Sequence, residues 1–347
     1  MSARQDDPIE EYRRAAEEDP KDPAAWAQLA YRLGELAAEE TDPARQRELR
    51  QEEVATYRKA LTLDPSDSIA WTNLGQAVEE LAEDEPDPIR RRQLLDDSVD
   101  AYRRAVEIDP DDVEAWTSYG FGLGLRVEEL EDPELKRRFR DQEISAYRRA
   151  LDVDPTDPTA WNNLAACFGD MADTETDPQR AEDLRSQEIA GYENAVQSDP
   201  TFSRAWRGLA FCRVRQADEA AAAGRTDDRN HFREQAIEAC RRATETDPED
   251  GQSWYLLSAT LLTQAGEIGA APGPEALEAA RRAVEYGEDS YNLVCALARA
   301  GQTEEALKEL AGCLERYEVE PEYASQDPDL QALWNDRRFQ ALVEAPR

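Results

Sequence analysis

The apolar positions of the chain recur with the spacing of amphipathic helices. In one stretch they stand at i, i+3, i+7 and i+10, and they are Trp71, Leu74, Val78 and Leu81. This stripe predicts a helix that ends near Glu85-Pro86. Asp87-Pro88 then predicts a second helix, because Asp caps helix N-termini and Pro fits the first helical turn. The apolar face of that helix consists of Leu94, Leu95, Val99, Tyr102, Ala105 and Val106.

This helix pair is one copy of a repeated unit. Tyrosines recur every 45 residues, at Tyr12, Tyr57, Tyr102, Tyr147 and Tyr192, and tryptophans do the same, at Trp26, Trp71, Trp116, Trp161 and Trp206. Asp-Pro pairs mark both turns of the unit. Between the two helices they stand at 42–43, 87–88, 132–133 and 177–178, and after the second helix at 19–20, 64–65, 109–110, 154–155, 199–200 and 247–248. Since Pro cannot donate a hydrogen bond inside a helix, this spacing fixes the helix ends.

The repeat predicts an array that grows along one axis. A half unit occupies residues 1–23, where Asp7-Pro8 opens a helix, and about seven helix pairs occupy residues 24–317. Residues 318–347 are predicted to cap the array.

Later units drift from the pattern. Cys240 replaces the tyrosine after a spacing of 48 residues, and Ala280 replaces it again. Two segments, residues 221–230 and 265–274, are predicted to be loops between helices.

The repeat resembles the tetratricopeptide repeat family, whose pattern includes W-x-x-L-G, then A-x-x-x-F and a late Pro. The matching stretches are Trp71-x-x-Leu74-Gly75 and Tyr57-x-x-Ala60, with Pro65 five residues further on. The resemblance implies an all-α fold, a right-handed superhelical solenoid. It also implies that the first helix of each unit lines a concave groove, which binds an extended segment or a helix of a partner protein.

Two features depart from the family pattern. The period is 45 residues where the family has 34. The 11 added residues correspond to three helical turns, so we expect longer helices than the family usually has. The second departure lies four residues before each tyrosine, where the family has a small Ala. Larger or polar residues stand there instead, and we expect looser helix contact: Glu53, Ser98, Glu143 and Glu188.

The chain carries a formal charge of −36, from 77 acidic and 41 basic residues. Phosphate backbones and anionic membrane surfaces are repelled by such a charge, so we expect neither nucleic acid nor membrane as a partner. The acidity indicates either a surface adapted to salt or a basic partner. No run of 18 apolar residues predicts a membrane span, and the polar start of the chain lacks a signal core, which favours a cytoplasmic protein.

Residues that could carry chemistry are few. His231 is the only histidine and is predicted to be exposed on a helix. The five cysteines are scattered and contain no C-x-x-C pair, so we interpret them as reduced apolar residues rather than disulfides or zinc ligands. Gly120, Gly122 and Gly124 are predicted to be close packing sites, since they stand in a helical pattern. We therefore expect no enzyme activity, no metal and no cofactor.

The candidate groove residues lie on the first helices, mainly one and five positions after each tryptophan, while the tryptophans themselves are predicted to pack in the core. The candidates are Tyr31, Thr72, Asn73, Gln76, Thr117, Phe121, Asn162, Asn163, Arg204, Arg207, Phe211, Arg215 and Tyr255. Phe121 and Phe211 are predicted to be either apolar anchors for a partner or fillers between adjacent first helices.

One helical face carries Arg204, Arg207, Phe211 and Arg215. Its arginines are predicted either to receive a partner's carboxylates or to neutralise neighbouring acids. Asn163 with Arg204 and Arg207 partly resembles the family's carboxylate clamp, although Thr117 and Phe121 depart from it. A second set of arginines, at the turns between helices, is predicted to form solvated i,i+4 pairs: Arg90, Arg91, Arg92, Arg137, Arg138 and Arg140.

These features predict a scaffold or adaptor that binds a partner peptide, C-terminal tail or helix in a groove. The alternative is a structural subunit of a homo- or hetero-oligomeric assembly, in which the chain associates with itself or with other subunits.

Overall fold

The structure, a computed structural model, describes residues 9–344, and every regular element in these residues is a helix. Contacts divide the chain into two units, Met1–Glu188 and Ile189–Arg347. Unit 1 contains α1 (Glu10–Glu18), α2 (Pro23–Glu39), α3 (Pro43–Leu63), α4 (Ser68–Glu83), α5 (Pro88–Ile108), α6 (Val113–Glu128), α7 (Pro133–Val153) and α8 (Pro158–Thr174). The boundary falls inside α9 (Pro178–Ser198).

Unit 2 contains α10 (Ser203–Ala222), α11 (Thr226–Thr246), α12 (Gly251–Glu267), α13 (Pro274–Glu285), α14 (Tyr291–Arg299), α15 (Thr303–Glu315), α16 (Pro321–Gln326), a 3₁₀ helix (Pro328–Leu333) and α17 (Arg337–Val343). The sequence predicted one array over residues 24–317 and did not predict a division into two units. Asp7-Pro8, predicted to open the first helix, and the last three residues of the predicted cap lie outside the described residues.

Aspartate caps begin α2 to α8 of unit 1; the sequence predicted those at the Asp-Pro pairs that open the second helices. In each case the side chain accepts a hydrogen bond from a backbone N–H two or three residues on; the caps are Asp22, Asp42, Asp67, Asp87, Asp112, Asp132 and Asp157. Each cap is worth about 1 kcal/mol, because it satisfies a donor that the helix leaves without a partner.

The expected lengthening of the helices is confirmed. The second helices α3, α5 and α7 each have 21 residues, and the first helices α4 and α6 each have 16. The lengthening is lost in unit 2 after α12, where α13, α14 and α15 have 12, 9 and 13 residues.

The predicted loop over residues 221–230 is wrong in extent, because only Ala223–Arg225 separate α10 from α11. Asp227 and Asp228 lie in the first turn of α11. Their negative charge is favourable at a helix N-terminus, and this preference outweighs the polar composition that suggested a loop. The second predicted loop is nearly right: α12 ends at Glu267 and α13 begins at Pro274.

In unit 1 the first helices α2, α4 and α6 pack against α3, α5 and α7, and the first helices also contact one another: α2 with α4, α4 with α6, and α6 with α8. The repeated tyrosines lie at the centre of this packing. Tyr57, Tyr102 and Tyr147 are all at most 2% exposed. The first helices therefore form one continuous face of unit 1, which we call the first-helix face.

The end of unit 2 closes over its own core. Leu330 and Leu333 of the 3₁₀ helix and Phe339 of α17 are buried. They belong to one apolar cluster with Leu297 of α14 and Leu310 of α15. The segment predicted to cap the array thus covers the last helix pair of this unit.

Contact at the position four residues before each tyrosine is tight, so the prediction of looser contact is wrong. Glu53, Ser98, Glu143 and Glu188 are at most 5% exposed. A Cβ placed on the facing glycine would lie 2.5 Å from Glu53 Oε1 at Gly34, 2.8 Å from Glu143 Oε1 at Gly124 and 2.7 Å from Glu188 Oε1 at Gly169. The family has its small residue on the second helix, whereas here the small residue is a glycine on the first helix. This leaves room for a carboxylate on the second helix.

One helix pair reverses this arrangement. The first helix α4 carries Glu79 at the position equivalent to those glycines, and the second helix α5 carries the small Ser98. Glu79 is buried, and its Oε2 accepts a hydrogen bond from the Tyr102 hydroxyl at 3.2 Å. A buried carboxylate next to a small partner is thus kept in the four pairs from α2 to α9, whichever helix supplies it.

Candidate partner-binding face

The first-helix face of unit 1 carries three cavities. The largest, which we call the aromatic pocket, has a volume of about 530 Å³ and is lined by Tyr12, Tyr31, Arg32, Ile69 and Asn73 among others. Tyr31 is 51% exposed and Ile69 is 67% exposed. The Arg32 guanidinium carbon lies 5.2 Å from the centre of the Tyr12 ring and 5.8 Å from that of Tyr31, within the range of a cation–π interaction.

The second cavity, the Glu83 pocket, lies between the end of α4 and the start of α3 and has a volume of about 320 Å³. Its lining includes Arg47, Arg50, Gln76, Glu79, Glu80 and Glu83. Arg50 bonds to Glu53 at 2.9 Å and also pairs with Glu80. The guanidinium of Arg47 donates to the backbone carbonyl of Asp84 and not to a carboxylate.

The third cavity, the Glu128 pocket, lies among α6, α7 and α8 and has a volume of about 200 Å³. Its lining includes Phe121, Glu128, Arg140, Glu143, Asn163 and Asp170. Arg140 lies 2.8 Å from Glu143, 3.4 Å from Asp170 and 3.5 Å from Glu128. One guanidinium thus serves three carboxylates.

Burial controls the titration of the carboxylates beneath this face. It raises the pKa of Glu53, Glu79 and Glu143 to about 7, because removal from water penalises the charged form. The Arg50 guanidinium opposes the shift at Glu53, and Arg140 opposes it at Glu143. Burial also raises the pKa of Glu80 and of Asp170.

Five of the predicted groove residues of unit 1 line these three pockets: Tyr31, Asn73, Gln76, Phe121 and Asn163. Phe121 is 44% exposed, which fits an anchor better than a buried filler. Thr72 is wrong as an exposed groove residue, because it is 6% exposed and its hydroxyl bonds to the Ser68 carbonyl at 3.2 Å.

Two further predicted residues of unit 1 are partly committed to their own helices. The Thr117 hydroxyl donates to the Val113 carbonyl at 2.9 Å. The Asn162 amide donates to Oδ1 of Asn163 at 3.1 Å. Both are half-buried, so each presents only part of its polar surface on the face.

In unit 2 the predicted arginine face is only partly available. Arg207 forms an ion pair with Asp250 at 2.5 Å, which fits the predicted alternative that these arginines neutralise neighbouring acids; its role as a contact for a partner's carboxylate stays a prediction. The ion pair forms because the N-terminus of α12 brings this aspartate beside α10. Arg204 is exposed, and Phe211 is 58% exposed. Arg215 is half-buried.

Tyr255 of α12 is half-buried, and its carbonyl accepts a hydrogen bond from Asn292 at 3.5 Å. Asn163 belongs to unit 1 and the arginines to unit 2. The partial carboxylate clamp that these residues suggested therefore stays a prediction.

The tryptophans support the turns as well as the packing. Each indole N–H donates to the carbonyl of the proline six residues earlier, over 2.8 to 3.2 Å; the donors are Trp26, Trp71, Trp116, Trp161, Trp206 and Trp254. The indoles are half-buried against the apolar clusters of their units. Their predicted packing role is confirmed, and the hydrogen bond to the Asp-Pro turn is an addition to it.

The remaining sequence features are structural. A Cβ on Gly120, Gly122 or Gly124 would lie 2.5 to 3.2 Å from a side chain of a neighbouring helix, which confirms that these glycines are packing sites. The five cysteines are free and buried, and His231 is exposed on α11. Among residues 9–344, no three His, Cys, Asp or Glu side chains are grouped to hold a metal ion. None of the helices described has the length and apolar content to cross a bilayer.

Within residues 9–344 the arginines at the turns between helices show none of the predicted i,i+4 pairs. Arg90 pairs with Glu85, Arg91 pairs with Glu129, and Arg140 is half-buried among the three carboxylates of the Glu128 pocket. The sequence carried a signal for an arginine placed among carboxylates, as Arg140 is: an arginine stands seven residues before most repeated tyrosines or their replacement. These residues are Arg50, Arg140, Arg185 and Arg233.

Comparisons with known proteins agree with the repeat. Residues 54–113 match the tetratricopeptide repeat family. No curated protein sequence matches the chain. The solved structure of PilF from Pseudomonas aeruginosa is similar, with a TM-score of 0.50 and 14% identity over 77% of this chain and 96% of that one. PilW, a type IV pilus biogenesis factor, has a TM-score of 0.48 and 17% identity over 77% and 97%.

The likeness to PilF extends the evidence for the fold over most of the chain, at an identity that supports the fold alone. The matched residues contain the repeated Tyr57, Trp71 and Tyr102, and the same spacing continues on both sides of them. Residues 54–113 therefore carry tetratricopeptide repeat sequence, and the chain has an all-α repeat fold with a period of 45 residues.

Proposed function

We propose that this protein is a protein-interaction scaffold, which holds a segment of a partner protein against the first-helix face of unit 1. The observation that carries the proposal is the exposure of Tyr31, Ile69 and Phe121 beside cavities of that face. Large apolar side chains that remain open to water gain free energy when a partner covers them. Aromatic residues in pockets are also the usual anchors of binding.

The polar groups of the face suit an extended segment. Asn73 and Gln76 of α4 and Asn163 of α8 line the pockets, and their amides both donate and accept hydrogen bonds. A partner backbone without secondary structure offers such groups along its whole length. Repeat arrays commonly use extended surfaces of this kind for binding.

The proposal is tested by selecting peptides from a random display library on the purified protein and measuring their affinity by fluorescence anisotropy. Tyr31→Ala and Phe121→Ala are expected to weaken binding about tenfold or more each, as truncation of an anchor does. Ile89→Ala is the matched control, because Ile89 is 79% exposed on α5 and lines none of the three pockets. Failure to enrich any peptide, or equal losses in all three variants, would contradict the proposal.

The alternative is self-association into an assembly. The end of unit 2 favours it to some extent, because Tyr317 is 73% exposed and Tyr323 is 63% exposed there. Light scattering over a range of protein concentrations separates the two functions. A mass that grows with concentration, and that Tyr323→Ser reduces, would support assembly; a constant mass would leave the scaffold as the better proposal.

A further inference from the structure

The carboxylates on the first-helix face of unit 1 outnumber their cations at two places. In the Glu128 pocket Arg140 is shared by Glu143, Asp170 and Glu128. The side chains of Asp170 and Glu128 are 58% and 71% exposed, so their unshared oxygens remain accessible. In a protein of charge −36, nearby acids add to the negative potential of such a pocket.

The Glu83 pocket has the same imbalance, because its lining holds the two cations Arg47 and Arg50 and four acids: Glu79, Glu80, Glu83 and Asp84. Arg50 is engaged by Glu53 and Glu80, and Glu83 forms no ion pair with any residue from 9 to 344. Burial is the main cause that raises the pKa of Glu80, and the charge of Glu83 adds to it. A cation that enters this pocket would relieve the repulsion between these carboxylates.

The two pockets share an arrangement that recurs two repeats apart, because Arg50 and Glu80 of the Glu83 pocket stand 90 residues before Arg140 and Asp170 of the Glu128 pocket. Glu83 ends α4, Glu128 ends α6, and 45 residues separate them in the sequence. Phe121 lies about two turns before Glu128 on α6 and is exposed at the edge of the Glu128 pocket. Its ring offers a surface to the alkyl stem of Lys or Arg, and to a guanidinium by a cation–π interaction.

From this charge complementarity we infer that the occupant of the first-helix face is a basic segment of a partner protein, with Arg or Lys side chains in the Glu83 and Glu128 pockets and an apolar side chain in the aromatic pocket. The inference rests on the proposed function and adds the chemistry of the partner. An acidic segment would meet like charge at both pockets, which costs free energy and slows association.

The test uses three labelled peptides of about twelve residues, which share their apolar positions and carry Arg, Gln or Glu at the remaining ones. Anisotropy is measured against the full chain at about 0.15 M salt, where charges far from the peptide are screened. The Arg peptide is expected to bind at least about tenfold more tightly than the Gln peptide. Glu83→Gln combined with Glu128→Gln is expected to remove most of that difference.

A double control variant has the same change in net charge on other surfaces of unit 1. Glu107→Gln and Asp152→Asn remove exposed carboxylates of the second helices α5 and α7, and are expected to change the affinity less than about twofold. Equal weakening in both double variants would show attraction to the overall charge and overturn the inference.

The library peptides of the previous section separate the two failures. If enriched peptides are neutral or acidic, and Tyr31→Ala and Phe121→Ala weaken them, the scaffold stands and the basic partner falls. If neither the library nor the three designed peptides give binding, the proposed function falls with the inference. Enrichment of Arg or Lys, lost in the Glu83 and Glu128 double variant alone, supports both.

Discussion

The backbone of Gly120 lies directly against the ring of Tyr147. A Cβ on Gly120 would stand 2.5 Å from Cε1 of that ring, well inside the van der Waals distance, and Gly75 has the same relation to Tyr102 at 2.6 Å. Glycine at this place lets the first helix approach the second closely enough to bury the tyrosine. The helix contact that the family makes with small residues is thus made here with glycine under an aromatic ring.

This contact predicts an unusual sign for a glycine substitution. In a helix Gly→Ala ordinarily stabilises, by about 1 kcal/mol. Gly120→Ala is expected to lower the free energy of unfolding instead, by about 1–3 kcal/mol, because the methyl group forces the Tyr147 ring out of place. Urea denaturation followed by circular dichroism measures the change. Gly266→Ala is the control, since the nearest atom there is 3.5 Å away; equal effects in the two variants would argue against the packing.

The hydrogen bond between Trp116 and Pro110 predicts two separable losses of unfolding free energy. The indole N–H donates to the proline carbonyl at 2.9 Å. Trp116→Phe keeps an aromatic ring and is expected to cost about 1 kcal/mol for the hydrogen bond, together with a smaller packing loss. Trp116→Ala is expected to cost about 3–5 kcal/mol, because it also empties the site. Trp334→Phe, at a partly exposed position, should be close to neutral in the same denaturation experiment.

The pair of Arg207 and Asp250 predicts that the two arginines of α10 behave differently. A double-mutant cycle of Arg207→Ala and Asp250→Ala is expected to give a coupling free energy of about 1 kcal/mol, since the two side chains touch and are partly buried. Arg204→Ala is expected to change stability by less than about 0.5 kcal/mol, because Arg204 is exposed. If the cycle gives no coupling free energy, the ion pair does not hold Arg207, and this arginine is available to a partner's carboxylate.

Buried carboxylates predict that the protein gains stability as the solution becomes mildly acidic. Burial raises the pKa of Glu79 to about 7 in the folded chain, above the ordinary value of 4.5. The folded state therefore binds the proton more strongly than the unfolded state. The stability that this gives is complete below about pH 4.5 and is lost as the pH rises through about 7.

The neighbours of Glu79 act in two directions: Glu80 and Glu83 raise its pKa further, and the Tyr102 hydroxyl opposes the shift. Glu79→Gln keeps the acceptor for that hydroxyl and is expected to raise the unfolding free energy at pH 8 by on the order of 1 kcal/mol. It should also flatten the decline between about pH 4.5 and pH 7. Asp152→Asn, exposed on α7, controls for the loss of one charge. If the unfolding free energy of Glu79→Gln declines with pH as steeply as that of the unchanged protein, the Glu79 carboxyl is not the source of the pH dependence.

Much of the fold was open to prediction from the sequence. Asp-Pro pairs placed the helix ends, because a capping carboxylate and a proline act within one turn of the chain. The 45-residue spacing of Trp71 and Trp116 showed the repeat. Helical periodicity also placed Phe121 on the first-helix face, but left open whether it is exposed or fills a contact between helices; it is 44% exposed.

The candidate site was predicted less well, because its properties depend on neighbours from other helices. Thr72 has the right register on α4 but is covered by the surrounding structure. Arg207 has the right face on α10, but Asp250 reaches it across 43 residues of sequence. The acids at Glu83 and Glu128 gave no signal against 77 acidic residues in the chain, and only the cavities show that they line pockets.

By itself the sequence determined the helices, their lengths and their repetition, because capping, proline placement and amphipathic spacing act over a few residues. The tertiary structure alone decided where the buried carboxylates lie. Gly34 makes room for Glu53 and Gly124 for Glu143, and Glu79 takes the reversed arrangement with Ser98. The reason is physical: a carboxylate is held out of water only where a facing helix leaves space and a donor lies within reach, and both come from residues distant in the chain.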